Sequence, residues 1–185
     1  MGASPYVIEY RDAFSFPLGP EDLWSAFERV ERFERWWGWL SEFSLEGGAL
    51  VSGAVLRGVV SPPLPYRMRL RVELEECERP HLIDAAVHGD LEGRAGLLLE
   101  PDETGTRAQV SWTIEMMQRP MRVAARMAPR VMRWGHDRVV ETTVRGFRRH
   151  VVAEGRRARS EPGGHGGGGE GHHAPRQGPQ RPLER

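Results

Sequence analysis

One histidine lies where an ionisable ring is least expected. Between Pro129 and Val152, a helical wheel places Met132, His136, Val139, Val140, Thr143, Phe147 and Val151 on one side. Arg130, Arg133, Asp137, Glu141, Arg145 and Arg148 fall on the other. His136 is thus the one titratable side chain on the apolar face. Buried there, it could hydrogen-bond a ligand oxygen or move a proton in an enolisation. The bland alternative is a core histidine satisfied by a neighbouring polar group, since no second catalytic residue is placed beside it by sequence. Asp137 reads as solvated, paired with Arg133 or with a neighbour of Glu141 along the helix.

Aromatic residues form the next group. Trp36, Trp37 and Trp39 either line the mouth of a pocket and stack on a flat ligand, or fill an ordinary core. Trp112 sits centrally on an inward strand face. Tyr66 and Met68 occupy similar positions, and Tyr66 offers a hydroxyl to a polar ligand group. Arg57 would point inward only if its strand pairs so that it lies beside Met68; a slip of one residue puts it outside. Inside, it would need a carboxylate, from Glu115 or from an acidic ligand. His88 and Asp90 share an outward face at i and i+2, and only a bulge near Gly89 would bring them together. Cys77 has no histidine in reach and reads as structural. His165, His172 and His173 lie in a stretch with no rigid support for a metal, so no metal or other cofactor is expected.

Several chemistries lack their signatures. The chain has no phosphate-cradling glycine loop, HExxH, cysteine pair or nucleophile elbow. All 26 basic residues are arginine, matched by 26 carboxylates. Residues 1–154 hold 20 arginines against 23 carboxylates, and the remainder holds six against three. No strong pull on nucleic acid or anionic membrane is therefore expected. A lone cysteine fits a reducing cytosol. The N-terminus is patterned like a strand rather than a signal peptide, and no run reaches the roughly 20 apolar residues of a membrane span. A cytoplasmic protein without an integral membrane segment is expected.

These residues need elements to hold them. Tyr6–Phe16 alternates as a first strand. Gly19 and Pro20 then suit the N-cap and first residue of a short helix with Leu23, Trp24, Phe27 and Val30 inward. A second helical segment is expected over Glu31–Leu40, then a turn at Gly47-Gly48. Strands follow at Leu50–Val60, Tyr66–Glu76, His81–Asp90, Gly93–Glu100 and Thr106–Met117. The clearest is Tyr66–Glu76, where Tyr66, Met68, Leu70, Val72 and Leu74 alternate with charged residues. Arg119–Met127 reads as a helix, and Pro129 breaks the chain before the long helix. At a helical rise, the 24 residues from Pro129 to Val152 span about 36 Å, enough to cross a small sheet. Residues 155–185, rich in Gly, Arg, Pro and His, hold too little apolar surface to offset their ordering entropy and read as a disordered tail.

The order of elements resembles the START/SRPBCC superfamily. Phe16-Pro17, Leu23-Trp24 and Glu34-Arg35-Trp36-Trp37 are similar to its first strand and helix pair. Gly89-Asp90-Leu91-Glu92-Gly93, followed by Gly105-Thr106-Arg107 and Trp112, resembles its polyketide cyclase/dehydrase and lipid transport branch. Trp134-Gly135-His136-Asp137 and Gly146-Phe147-Arg148-Arg149 resemble that branch's terminal helix. The resemblance implies an α+β helix-grip fold over residues 1–154. A curved antiparallel sheet of about seven strands would wrap the C-terminal helix, with an apolar cavity between them. It implies no single activity. Combined with the residue reading, it favours binding of a hydrophobic or polycyclic small molecule, lipid- or polyketide-like. Trp37, Arg57, Tyr66, Met68, Trp112, Met132, His136, Val140 and Phe147 are the candidate contacts. Two alternatives are a cyclase or dehydratase with His136 as general base, and a non-catalytic interaction module with a filled core.

Overall fold

The structure, a computed structural model, describes Ser4 and residues 6–160. Tyr6–Phe16 forms its strand largely as the alternation requires, with β1 over Val7–Phe16. The Gly19-Pro20 signal opens α1, Pro20–Phe27. Gly19 keeps an extended backbone at the N-cap, and its carbonyl accepts the Leu23 amide at 3.0 Å. Leu23 and Trp24 are wholly buried along its inner stripe.

The next segment departs from the sequence reading. Instead of a helix over Glu31–Leu40, a 3-10 turn at Val30–Arg32 leads into a single α-turn, α2, Phe33–Trp36. Trp37 is already extended, and a strand that periodicity did not reveal, β2, spans Leu40–Glu46. The cause is a bulge. Glu42 takes a positive φ of 53°, and the pairing register shifts between Ser41 and Ser44. Leu40, Phe43 and Leu45 all join the core, so the two-residue period slips by one in the middle of the strand.

The meander then runs β3 (Val55–Val60), β4 (Met68–Glu78), β5 (Leu82–Gly89), β6 (Leu91–Asp102) and β7 (Gly105–Met116). All pairings are antiparallel, in the spatial order β1-β7-β6-β5-β4-β3-β2. The longest-range pairing joins the first strand to the last, with Tyr10 opposite Trp112. Behind β7 come α3, Arg119–Met127, and α4, Pro129–Ser160, separated at Ala128 just before Pro129. Here proline opens a helix at its first position, where a missing N–H costs nothing.

The helix α4 extends eight residues past Val152, where the apolar stripe ends in the sequence reading. Residues 161–185, the greater part of the segment read as a disordered tail, lie outside the described residues. Sheet and α4 meet in two places. Phe16, Leu23, Trp24, Trp36, Leu99, Phe147 and Val151 form one buried cluster; Met68, Val87, Leu91, Met116, Met121 and Met132 form another. The result is the helix-grip architecture, with α4 lying across the curved seven-stranded sheet.

Candidate functional site

Between the two clusters lies a cavity of about 370 Å³, within the range typical of small-molecule sites. The sheet supplies its floor through Phe14 on β1, Met68 and Leu70 on β4, and Val110, Trp112 and Ile114 on β7. The roof is α4, presenting Met132, His136, Val139, Val140, Thr143 and Phe147. Trp37 and Trp39 close one side, and Tyr66 another. The lining holds no carboxylate and no guanidinium. A filled core is therefore not what the structure shows.

Eight of the nine candidate contacts line this cavity: Trp37, Tyr66, Met68, Trp112, Met132, His136, Val140 and Phe147. Arg57 does not. Its register partner on β4 is Arg71, whereas Met68 faces Val60, so the odd-numbered position falls on the outer face. There its Nε donates to Glu46 Oε1 at 2.6 Å, and about half the side chain is exposed. This pairing raises the arginine pKa and lowers that of Glu46, chiefly through the hydrogen bond. Trp36 also leaves the site. It packs in the core, stacked on His150 at 5.5 Å and edge-on to Phe147.

The polar atoms of the cavity are few and specific. His136 Nδ1 lies 3.1 Å from Asp137 Oδ1, a pairing with its exposed sequence neighbour rather than the Asp137–Arg133 pair expected from the helix pattern. An ionised carboxylate only accepts, so Nδ1 donates, and in the tautomer this bond selects Nε2 carries the lone pair. Nε2 is buried without a hydrogen-bond partner, and so are the indole N–H groups of Trp112 and Trp39. Tyr66 Oη reaches Met132 Sδ at 3.9 Å, a weak contact, and burial raises its pKa. Trp37 is satisfied differently, donating to the Thr143 carbonyl at 3.1 Å and so tying the segment after α2 to the middle of α4.

Tyr10, which does not line the cavity, backs two residues that do. It stacks on Trp112 at 4.4 Å, and both rings meet His136 edge-on, at 5.3 and 5.5 Å. Its hydroxyl donates to Asp12 at 3.0 Å. Burial first, then that bond and the nearby negative charges of Asp12 and Asp137, push its pKa up to about 12. Its inward alternation on β1 was legible; its meeting with Trp112 depends on the pairing of the first strand with the last.

The remaining candidates do not assemble a second site. His88 pairs with Glu92 at 3.0 Å, and Asp90 accepts the Arg69 amide at 2.6 Å, so no His–Asp dyad forms. Cys77 donates to the Leu50 carbonyl at 3.2 Å, and burial raises its thiol pKa. Among the described residues no group of three His, Cys, Asp or Glu side chains is placed to hold a metal, and no helix is long and apolar enough to cross a membrane.

No curated protein matches the chain. Solved structures do. One is TTHA0849 from Thermus thermophilus, 17% identical over 80% of this chain and 99% of that one, with a TM-score of 0.63. A conserved protein from Geobacillus kaustophilus is 11% identical over 80% and 97%, with a TM-score of 0.65. The di-domain ARO/CYC StfQ from the steffimycin biosynthetic pathway is 10% identical over 82% of this chain but 53% of its own, with a TM-score of 0.62. Such identities speak for the fold alone. The family model "polyketide cyclase / dehydrase and lipid transport" matches residues 8–153, from the second residue of β1 into the last turns of α4. The chain belongs to this family, within the START/SRPBCC superfamily.

Proposed function

We propose that the protein binds a hydrophobic or polycyclic small molecule, lipid- or polyketide-like, between the sheet and α4. The observation that carries this reading is an uncharged void of about 370 Å³ bordered by Trp37, Trp112, Met132 and Phe147. Affinity comes from burying apolar surface, at about 25 cal/mol per Å². Orientation would come from His136, Trp112 and Trp39, lining residues whose buried ring nitrogens lack a hydrogen-bond partner. A free carboxylate on the guest finds no cation in the lining, which favours a neutral ligand. Native mass spectrometry of the full chain tests this: a co-purified apolar molecule is expected, absent from Val140→Trp, which fills the void. Retention of the same molecule by that variant would count against the cavity as its seat.

A second reading is favoured by one geometric fact, the carboxylate behind His136 and the free Nε2 in front of it. In this reading Nε2 takes a proton from a carbon beside a ligand carbonyl, as a cyclase or dehydratase requires, and the cavity folds the substrate. His136→Ala should then abolish turnover of a poly-β-keto substrate with the melting curve preserved. Unchanged turnover removes the reading and leaves binding intact.

A further inference from the structure

We propose that the corner between α3 and α4 is a docking surface for an anionic lipid bilayer. Although the formal charges of the chain cancel, their distribution is uneven. Arg119, Arg122, Arg126, Arg130 and Arg133 follow one another with no carboxylate between Glu115 and Asp137. Arg122 is taken up by Glu115 and the Met116 carbonyl. Arg119, Arg126, Arg130 and Arg133 have no ion-pair partner among the described residues.

Large apolar side chains stand exposed among these cations. Met127 is 80% exposed, Val123 60%, Trp134 53% and Val131 49%. Each lies within four residues of the next, straddling the break at Ala128. Scattered single apolar residues on a surface need no explanation, but four large ones within twelve positions do. The inner sides of the same two helices are already used: Met121, Ala125 and Met132 are buried there. The outward face is therefore left over from folding.

Charge chooses the occupant. Arginine mixed with tryptophan and aliphatic residues, without acidic side chains, matches the headgroup–acyl boundary of an anionic leaflet. A second copy docked about a two-fold axis would bring these arginines together without counter-charge. Residues 161–185 include one leucine as their only large apolar residue and balance three arginines with three carboxylates, so they complement neither the charge nor the grease.

The test is sedimentation of the full chain with vesicles of phosphatidylcholine, with and without phosphatidylglycerol. Pelleting is expected only with phosphatidylglycerol, weakening as salt is added. Arg126→Gln with Arg130→Gln should lower the partition coefficient about 30-fold, at about fivefold per arginine. Met127→Ser should lower it about tenfold. All three side chains are exposed, so the melting curves should match that of the wild type. Equal pelleting with both vesicles, no pelleting with either, or variants that pellet as the wild type does would overturn the proposal. So would a dimer in sedimentation velocity that Met127→Ser dissociates, which would assign the face to a second copy.

Discussion

The two halves of α4 face the same sheet and end up in opposite states. Toward its C-terminus, Phe147 is caught between Phe27, stacked at 4.6 Å, and the edges of Phe16 and Trp36, while Val151 is almost wholly buried. Toward its N-terminus, His136, Val139 and Val140 look into a void that Met132 and Phe147 also line. The helix pattern is equally apolar in both. The difference comes from what stands opposite: α1 and α2 thrust Leu23, Trp24 and Trp36 into one end, α3 brings Met121 and Ala125 to the other, and no element fills the stretch between. Stability and binding capacity are thus assigned to different lengths of one helix.

The largest expected effect tests that division directly. Leu99 is 1% exposed in the filled half and outside the cavity lining, so Leu99→Ala should cost about 2–5 kcal/mol and lower the Tm by about 10 °C. Met132→Ala, beside space that is already empty, forfeits fewer contacts and should cost about 1–2 kcal/mol. Equal losses by calorimetry would erase the contrast between the halves.

A glycine in each half sharpens it. A Cβ on Gly146 would sit 2.8 Å from the Trp36 carbonyl oxygen, which is backbone and cannot retreat. Gly146→Ala should therefore cost about 1–3 kcal/mol in spite of its better helix propensity. At Gly135 the obstacle is Leu64 Cδ1 at 2.5 Å, the end of a side chain free to turn. Gly135→Ala should be close to neutral in chemical denaturation, the propensity gain of about 1 kcal/mol offsetting the shift of Leu64.

A smaller effect concerns the unpartnered nitrogen. His136→Phe keeps the ring contacts with Tyr10 and Trp112 but removes Nε2, so stability should rise by about 1 kcal/mol. Affinity for a hydroxyl-bearing guest should fall in isothermal titration, while a pure hydrocarbon should bind as before. The smallest effect is alkaline. Tyr10 holds its proton to about pH 12 in the fold and to about pH 10 unfolded, so the unfolded state loses its proton first. Its contribution is complete below pH 10 and disappears as the pH rises toward 12. Tyr10→Phe should flatten that part of the stability profile.

The sequence made legible whatever kept a constant period. The stripe from Met132 to Val151, the alternation of β4 from Met68 to Leu74, and the inward set Val110, Trp112, Ile114 and Met116 all emerge as read, because each keeps its period over those residues; the bulge of β4 comes only after Leu74. β2 stayed hidden because its bulge at Glu42 breaks the phase between Leu40 and Phe43. Arg57 was undecidable because one residue of register exchanges the faces of β3, and only pairing with β4 fixes it. The cavity was readable in eight of its lining residues and not in its volume. Nothing local shows that α1 and α2 fill one end of the sheet and stop short of the other.

One feature of the void sets how temperature will act on it. Its walls are carbon apart from a few ring nitrogens, hydroxyls and methionine sulfurs, with no carboxylate or guanidinium. A guest that sheds its hydration shell against such walls leaves a negative heat-capacity change as its signature. The enthalpy of association should then drift steadily with each degree, and a value measured in the cold will not describe the warm protein.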